Sequence, residues 1–184
     1  MKQKIIIGVV VALIVGVLFF VVSNQAAPSQ AAPDQNTSPD REQSNFDEAF
    51  FGITVVDYEK NEVQLSDFNG KPLVINSWAV WCPFCKKELA EFAALQEEFP
   101  QDITVIAIDR QESLKKAKGF TDEIGITEKM LFFLDPTDSF YKSIGGFSMP
   151  ETIFVNETGT IVVHKRGPMD LEEMIEHTRK IINT

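Results

Sequence analysis

The mostly apolar, β-rich run from Pro72 to Trp78 stops just short of Cys82-Pro83-Phe84-Cys85, and beyond it the apolar residues recur with helical period. A run of that kind reads as a central strand buried on both faces. In the helix behind it, Cys85, Leu89, Phe92, Ala93 and Phe99 form one inward stripe, with Lys86, Lys87, Glu91, Glu97 and Glu98 turned outward. A buried strand, a tight turn and an amphipathic helix therefore constrain everything else. Ile103 to Ile108 reads as a second buried strand, and Leu131 to Leu134, Thr152 to Val155 and Thr160 to Val163 as shorter ones. Asn156-Glu157-Thr158-Gly159 is turn-like and should join the last two antiparallel. Upstream, Ile53 to Val56 and Val63 to Leu65 flank Glu59-Lys60-Asn61 as an N-terminal hairpin. Leu114, Ala117 and Ile124 mark another helix, ended by Gly125. Asp170 and Glu173 open a final one, whose inward side is Leu171, Met174, Ile175, Ile181 and Ile182. The pattern predicts an α/β domain: a central mixed sheet with helices on both faces.

The two cysteines are the only ones in the chain. A disulfide-stapled secreted domain carries more, at wider spacing. A zinc site needs further Cys or His ligands, and His164 and His177, read as strand-surface and helix-surface residues, follow no ligand spacing. No metal is expected. At the start of a helix, unpaired N–H groups and the helix dipole favour an anion. That position lowers the pKa of the Cys82 thiol and arms it for attack on a disulfide near neutral pH. Pro83 suits a first helical turn, where its missing N–H has no partner to lose. Cys85 shares the inward stripe, which makes Cys82 the attacking thiol and Cys85 the resolving one.

Ile5 to Val22 is an unbroken run of apolar residues and glycines behind Lys2 and Lys4. At about 1.5 Å per residue it reaches roughly 27 Å, close to the thickness of a hydrocarbon core. The lysines keep the short end inside and put the rest of the chain on the outer face. A cleaved signal peptide is the competing reading, but its apolar region is usually about 7–15 residues long. Both readings export the domain. Ser23 to Asn45 is rich in Ala, Pro, Gln, Ser and Asp, a composition that cannot offset ordering entropy. It is expected to act as a tether spanning about 25–30 Å. The expected organisation is a cytoplasmic stub (1–4), a single transmembrane signal anchor (5–22), a linker (23–46) and a folded domain (47–184). With 17 basic against 27 acidic residues the net charge is −10. No clustered basic face is present, so nucleic-acid binding is excluded as a reading.

Trp78-Ala79-Val80-Trp81-Cys82-Pro83-Phe84-Cys85 resembles the active-site run of thioredoxin-like proteins. Asn76, Lys86-Lys87-Glu88, the stretch before Leu131 and the apolar N-terminus resemble one branch, the TlpA-like reductases associated with cytochrome c maturation. Met149-Pro150-Glu151-Thr152 resembles that branch's second signature, and Gly159-Thr160-Ile161-Val162 its following turn and strand. The resemblance covers about Asp47 to Thr184. It implies a thioredoxin-like fold, a cis peptide before Pro150 packed against the cysteine pair, and a Met149 backbone offered to an extended substrate segment. It implies Trp81, Pro83 and Phe84 at the substrate-binding surface and Trp78 in the core. Glu88, three residues after Cys85, is placed to take the Cys85 proton if burial raises its pKa. Thioredoxin uses a buried Asp on the preceding strand, where this chain has Asn76. The redox-active disulfide itself is the expected cofactor. The expected partners are a disulfide-containing protein substrate, such as apocytochrome c, and a membrane thiol electron donor, with the chain acting as a monomer.

Phe84 stands where this branch usually carries proline, and the pair between the cysteines tunes redox poise. Direction of electron flow is therefore open between a reductase and a disulfide-forming oxidase. A thiol peroxidase shares the fold, but its peroxidatic cysteine usually follows a Thr/Ser-x-x pattern and here the place reads Val80-Trp81-Cys82. A glutaredoxin-like reading fits the paired tryptophans poorly. A copper or haem chaperone would need ligands beyond Met149.

Overall fold

The computed structural model describes residues 50–183. The expected stub, anchor and linker lie outside these residues. Among the described residues no helix is long and apolar enough to cross a membrane.

Among the described residues seven strands form one sheet in the order β2-β1-β5-β4-β3-β6-β7. They are β1 (Thr54–Asp57), β2 (Glu62–Gln64), β3 (Leu73–Trp78), β4 (Thr104–Arg110), β5 (Leu131–Asp135), β6 (Glu151–Val155) and β7 (Ile161–Arg166). The helices are α1 (Cys85–Glu98), α2 (Leu114–Glu123), the short α3 (Ser139–Ser143) and α4 (Leu171–Ile182). β3, β4 and β5 run parallel, joined through α1 and α2. Both crossovers step the same way along the sheet, so right-handed connection puts both helices on one face. β6 and β7 add antiparallel strands on the far side of β3. β1 pairs antiparallel with β2 at one edge and with β5 at the other. The β1–β2 pair is thus part of the sheet and not an appendage in front of it.

Every residue of β3 is buried, and side-chain alternation sends its residues to two different layers. Val74 and Trp78 join Cys82, Cys85, Leu89, Phe92, Ala107, Ala117, Phe154 and Met174 on the face covered by α1, α2 and α4. Leu73 and Ile75 join Phe50, Leu65, Ile106, Ile108, Phe133, Phe140 and Ile153 on the other face, under α3. Helices lie on both faces, but the three long ones share one.

Helix ends follow local chemistry. The Asp170 carboxylate accepts the Glu173 N–H at 3.0 Å to start α4, as an N-cap should. Gly125 closes α2 with φ +71°, a left-handed residue that glycine adopts without cost. Some expected positions differ. Ile182 is exposed as the last residue of α4 and Phe99 is only partly buried. Neither histidine is a plain surface residue. The His164 ring is largely covered, its Nε2 has no hydrogen-bond partner, and burial lowers its pKa. His177 packs edge-on against Phe154, with ring centroids 5.2 Å apart. His164 lies on the edge strand β7 with its Nε2 3.9 Å from the buried Glu151 carboxylate, and α4 sets His177 against Phe154 of β6, so each ring is shielded by a neighbouring element.

Candidate active site

β3 ends at Trp78, and the chain turns through Ala79, Val80 and Trp81 before α1 begins at Cys85. The Cys82 N–H donates to Ala79 O at 3.0 Å and the Cys85 N–H to Cys82 O at 3.3 Å. Cys82 and Pro83 therefore lie in the turn just ahead of α1, whereas the sequence reading puts Cys82 at the helix start and Pro83 in its first turn. The two sulfurs form a disulfide with the Cα atoms 5.4 Å apart. Cys85 is fully buried and Cys82 nearly so. Trp78 is buried against Phe120 and Phe132. Trp81 and Phe84 are each 58% exposed, and Pro83 is exposed as well. The disulfide is thus flanked in sequence by apolar groups that face solvent.

The Met149–Pro150 peptide is cis. Pro150 is buried, and Met149 packs against the layer that contains both cysteines. The loop before it presents Phe147, 84% exposed. Sequence reading missed what shapes this loop. Glu151 is buried, and its two carboxylate oxygens accept the Phe147 N–H, each at 3.2 Å. Arg166 Nε donates to the same carboxylate at 2.9 Å. The Tyr141 hydroxyl donates to Ser148 O at 3.0 Å. Gly146 has to be glycine for a steric reason, because a Cβ there would lie 2.5 Å from the Tyr141 ring.

Glu88 is 2% exposed. Its Oε1 accepts the Met169 N–H at 3.0 Å and its Oε2 accepts Asn76 Nδ2 at 3.3 Å. Asn76 also donates to Thr152 Oγ1 at 3.0 Å, across the β3–β6 pair. Burial pushes the Glu88 carboxyl up to about 8, and the hydrogen bonds from Met169 and Asn76 oppose the rise without cancelling it. A buried acid with a pKa in that range exchanges a proton with a thiol at little cost.

A second acidic feature also escaped the sequence reading. Asp109 ends the buried part of β4, beside Trp78 in register. Glu112 follows in the loop before α2, and its carboxylate accepts the Val80 N–H at 2.6 Å. Carrying the alternation of β4 one step past Ile108 would have found Asp109, since it falls on the face of Val105 and Ala107. Glu112 left no such signal.

The chain matches the Redoxin family over residues 19–182. It belongs to the Redoxin family. It is 25% identical over 130 residues to the thiol-disulfide oxidoreductase ResA of Bacillus thuringiensis subsp. konkukian, covering 70% of this chain and 74% of that protein. It is 27% identical over 148 residues to ResA of Halalkalibacterium halodurans, covering 80% and 82%. Among solved structures, a secreted Mycobacterium tuberculosis disulfide oxidoreductase homologous to E. coli DsbE superposes with a TM-score of 0.64 at 18% identity, over 71% of this chain and 96% of that one. StoA from Bacillus subtilis superposes with a TM-score of 0.59 at 23% identity, over 68% and 95%. The fold is thioredoxin-like, as the motifs implied. Family membership and a Cys82–Cys85 disulfide in a redox-type spacing make this chain a thiol–disulfide oxidoreductase, whose substrates are disulfide-containing proteins.

Proposed function

We propose that the chain is a membrane-tethered reductase of protein disulfides on the extracytoplasmic face, working through Cys82, Cys85 and Glu88. The observation that carries this reading is the buried Glu88 carboxyl, one helical turn after Cys85 and held by Met169 and Asn76. The Cys82 thiolate attacks one sulfur of a substrate disulfide, and the other leaves as a thiolate that takes a proton from solvent. Glu88 accepts the proton of Cys85. The Cys85 thiolate then attacks Cys82 Sγ, releases the second substrate thiolate and closes the Cys82–Cys85 disulfide. Two electrons pass to the substrate, and a membrane thiol donor restores the dithiol by the same exchange in reverse. The disulfide is the only cofactor this chemistry needs.

Trp81, Pro83 and Phe84 offer an exposed apolar surface beside the disulfide, and Met149 with Pro150 offers the backbone for an extended segment of substrate. Apocytochrome c is the substrate to which the TlpA-like motifs point. The run Ile5–Val22 supports a single-pass anchor, which confines a monomeric domain near a membrane-embedded donor. The reduction potential of the full chain, equilibrated against glutathione or dithiothreitol, tests the direction of flow. A value near or below thioredoxin's ~−270 mV is expected. A value near the ~−120 mV of a strong oxidant makes disulfide formation the function instead.

A further inference from the structure

The Val80 N–H, two residues before Cys82, is held by a side chain. Glu112 Oε2 accepts it at 2.6 Å, and Glu112 Oε1 takes the Lys116 ammonium. The Glu112 N–H in turn donates to Asp109 Oδ1 at 3.0 Å. The Glu112 side chain is 6% exposed, Asp109 is buried, and among the described residues Asp109 Oδ2 has no donor to accept from. Two adjacent buried carboxylates facing one ammonium would leave an uncompensated charge. One proton on Asp109, directed at Glu112, removes both the excess charge and the orphaned oxygen. Burial, then the neighbouring Glu112, push the Asp109 carboxyl well above its usual range. Against burial, Lys116, Asp109 and the Val80 N–H hold Glu112 low.

The other groups facing the pair do not replace this balance. Tyr58, on the turn after β1, is itself raised by burial. Arg110 is committed to Asp138, at 2.7 and 2.6 Å, and to the face of Tyr141. Glu88 shares no partner with the pair.

We propose that Asp109 and Glu112 are positioning residues for the redox turn. Sharing one proton, they keep the Glu112 carboxylate on the Val80 N–H; losing it in alkaline solution, they repel each other and loosen the segment that carries Trp81 and Cys82. The rate consequence rests on the dithiol reading above, but the proton and the hydrogen bond do not.

The test uses the full-length oxidised chain, in which no thiol titrates, between pH 6 and 9.5. Tyr58 and Tyr141, both raised, stay protonated there. Tryptophan fluorescence, reporting Trp78 beside Asp109 and Trp81 beside Val80, is expected to show a one-proton transition. Val80 amide exchange is expected to rise more than tenfold beyond its base-catalysed slope across the same range. On a Glu88→Gln background, which removes the other raised carboxyl of this face, Asp109→Asn, the neutral isostere, should abolish the transition and keep Val80 protected. Glu112→Ala should expose Val80 at every pH, and Glu88→Gln should leave the transition in place. The proposal is overturned if wild type shows no transition, if it survives Asp109→Asn on the Glu88→Gln background, or if Glu88→Gln alone removes it. Should Asp109→Asn fail to fold, Glu112→Gln on the same background decides: the transition must vanish or move at least tenfold in proton affinity with Val80 still protected, and an unchanged transition sinks the idea. Failure of the dithiol reading would show separately, as an absence of disulfide exchange in the reduced protein.

Discussion

The two faces of the sheet have unlike contents. The face under α3 is closed by Leu73, Ile75, Ile106, Ile108, Phe133, Phe140 and Ile153, and the buried acids that alternation sends to it, Asp135 and Glu151, lie at strand ends, Asp135 accepting the Phe140 N–H and Glu151 the Phe147 N–H and Arg166 Nε. The face under α1, α2 and α4 holds the disulfide, and the same alternation that places Val74, Trp78 and Ala107 there also places Asn76, Asp109 and Thr152. One layer supplies stability by excluding water. The other gives up some stability to keep titratable groups dry beside a redox centre, where their pKa values can move.

Substitutions should separate the layers. The largest effect is expected on the redox face: Cys82→Ser should lower protein-disulfide reductase activity by roughly 10³-fold or more, as loss of a nucleophile does. Cys85→Ser should leave Cys82 able to attack and accumulate a mixed disulfide, visible by mass spectrometry. Glu88→Gln should come next, slowing disulfide exchange by roughly 10²-fold at neutral pH, as loss of a general base does, with the limb near pH 8 removed from the rate profile.

The same substitution has a stability signature whose sign is fixed. The Glu88 carboxyl goes from its ordinary 4.5 to about 8 on folding. The native state therefore holds a proton that the unfolded state releases, and stability is lost as pH rises from about 4.5 to about 8. Glu88→Gln should flatten that decline in thermal melts. A decline of unchanged depth would mean that Glu88 is not the proton site.

On the apolar face, Phe140→Ala should cost about 3–5 kcal/mol in denaturant unfolding. The iodoacetamide profile of Cys82 should not move. A shifted profile would show that the two layers are coupled and the comparison too simple. The smallest effect is expected at the rim: Phe147→Ala should reduce kcat/KM for a protein disulfide by about fivefold, on the order of 1 kcal/mol, with little change for a small-molecule disulfide. Equal loss on both would place Phe147 in loop structure and not in substrate contact.

The strands β3, β4, β5 and β6 and the helix behind the cysteines were legible because hydrophobic period and β-rich runs report burial directly. Cys82 and Cys85 were legible from spacing alone. Phe147 was not, since an exposed phenylalanine in a glycine-flanked loop has no periodic signal. The Glu112–Val80 hydrogen bond was equally silent, because it links residues far apart in the chain through a strand–loop–helix path.

The sequence by itself determined that a buried strand must deliver a cysteine pair to the start of an amphipathic helix, because apolar period and turn chemistry are local properties. The tertiary structure decided which polar residues are sealed beside that pair. Glu88 in α1 looks like a solvated helix residue until Met169 and Asn76 close over it, and Asp109 looks like the end of a strand until Trp78 lies beside it. Desolvation depends on what the rest of the chain brings near a group, and no local pattern records that.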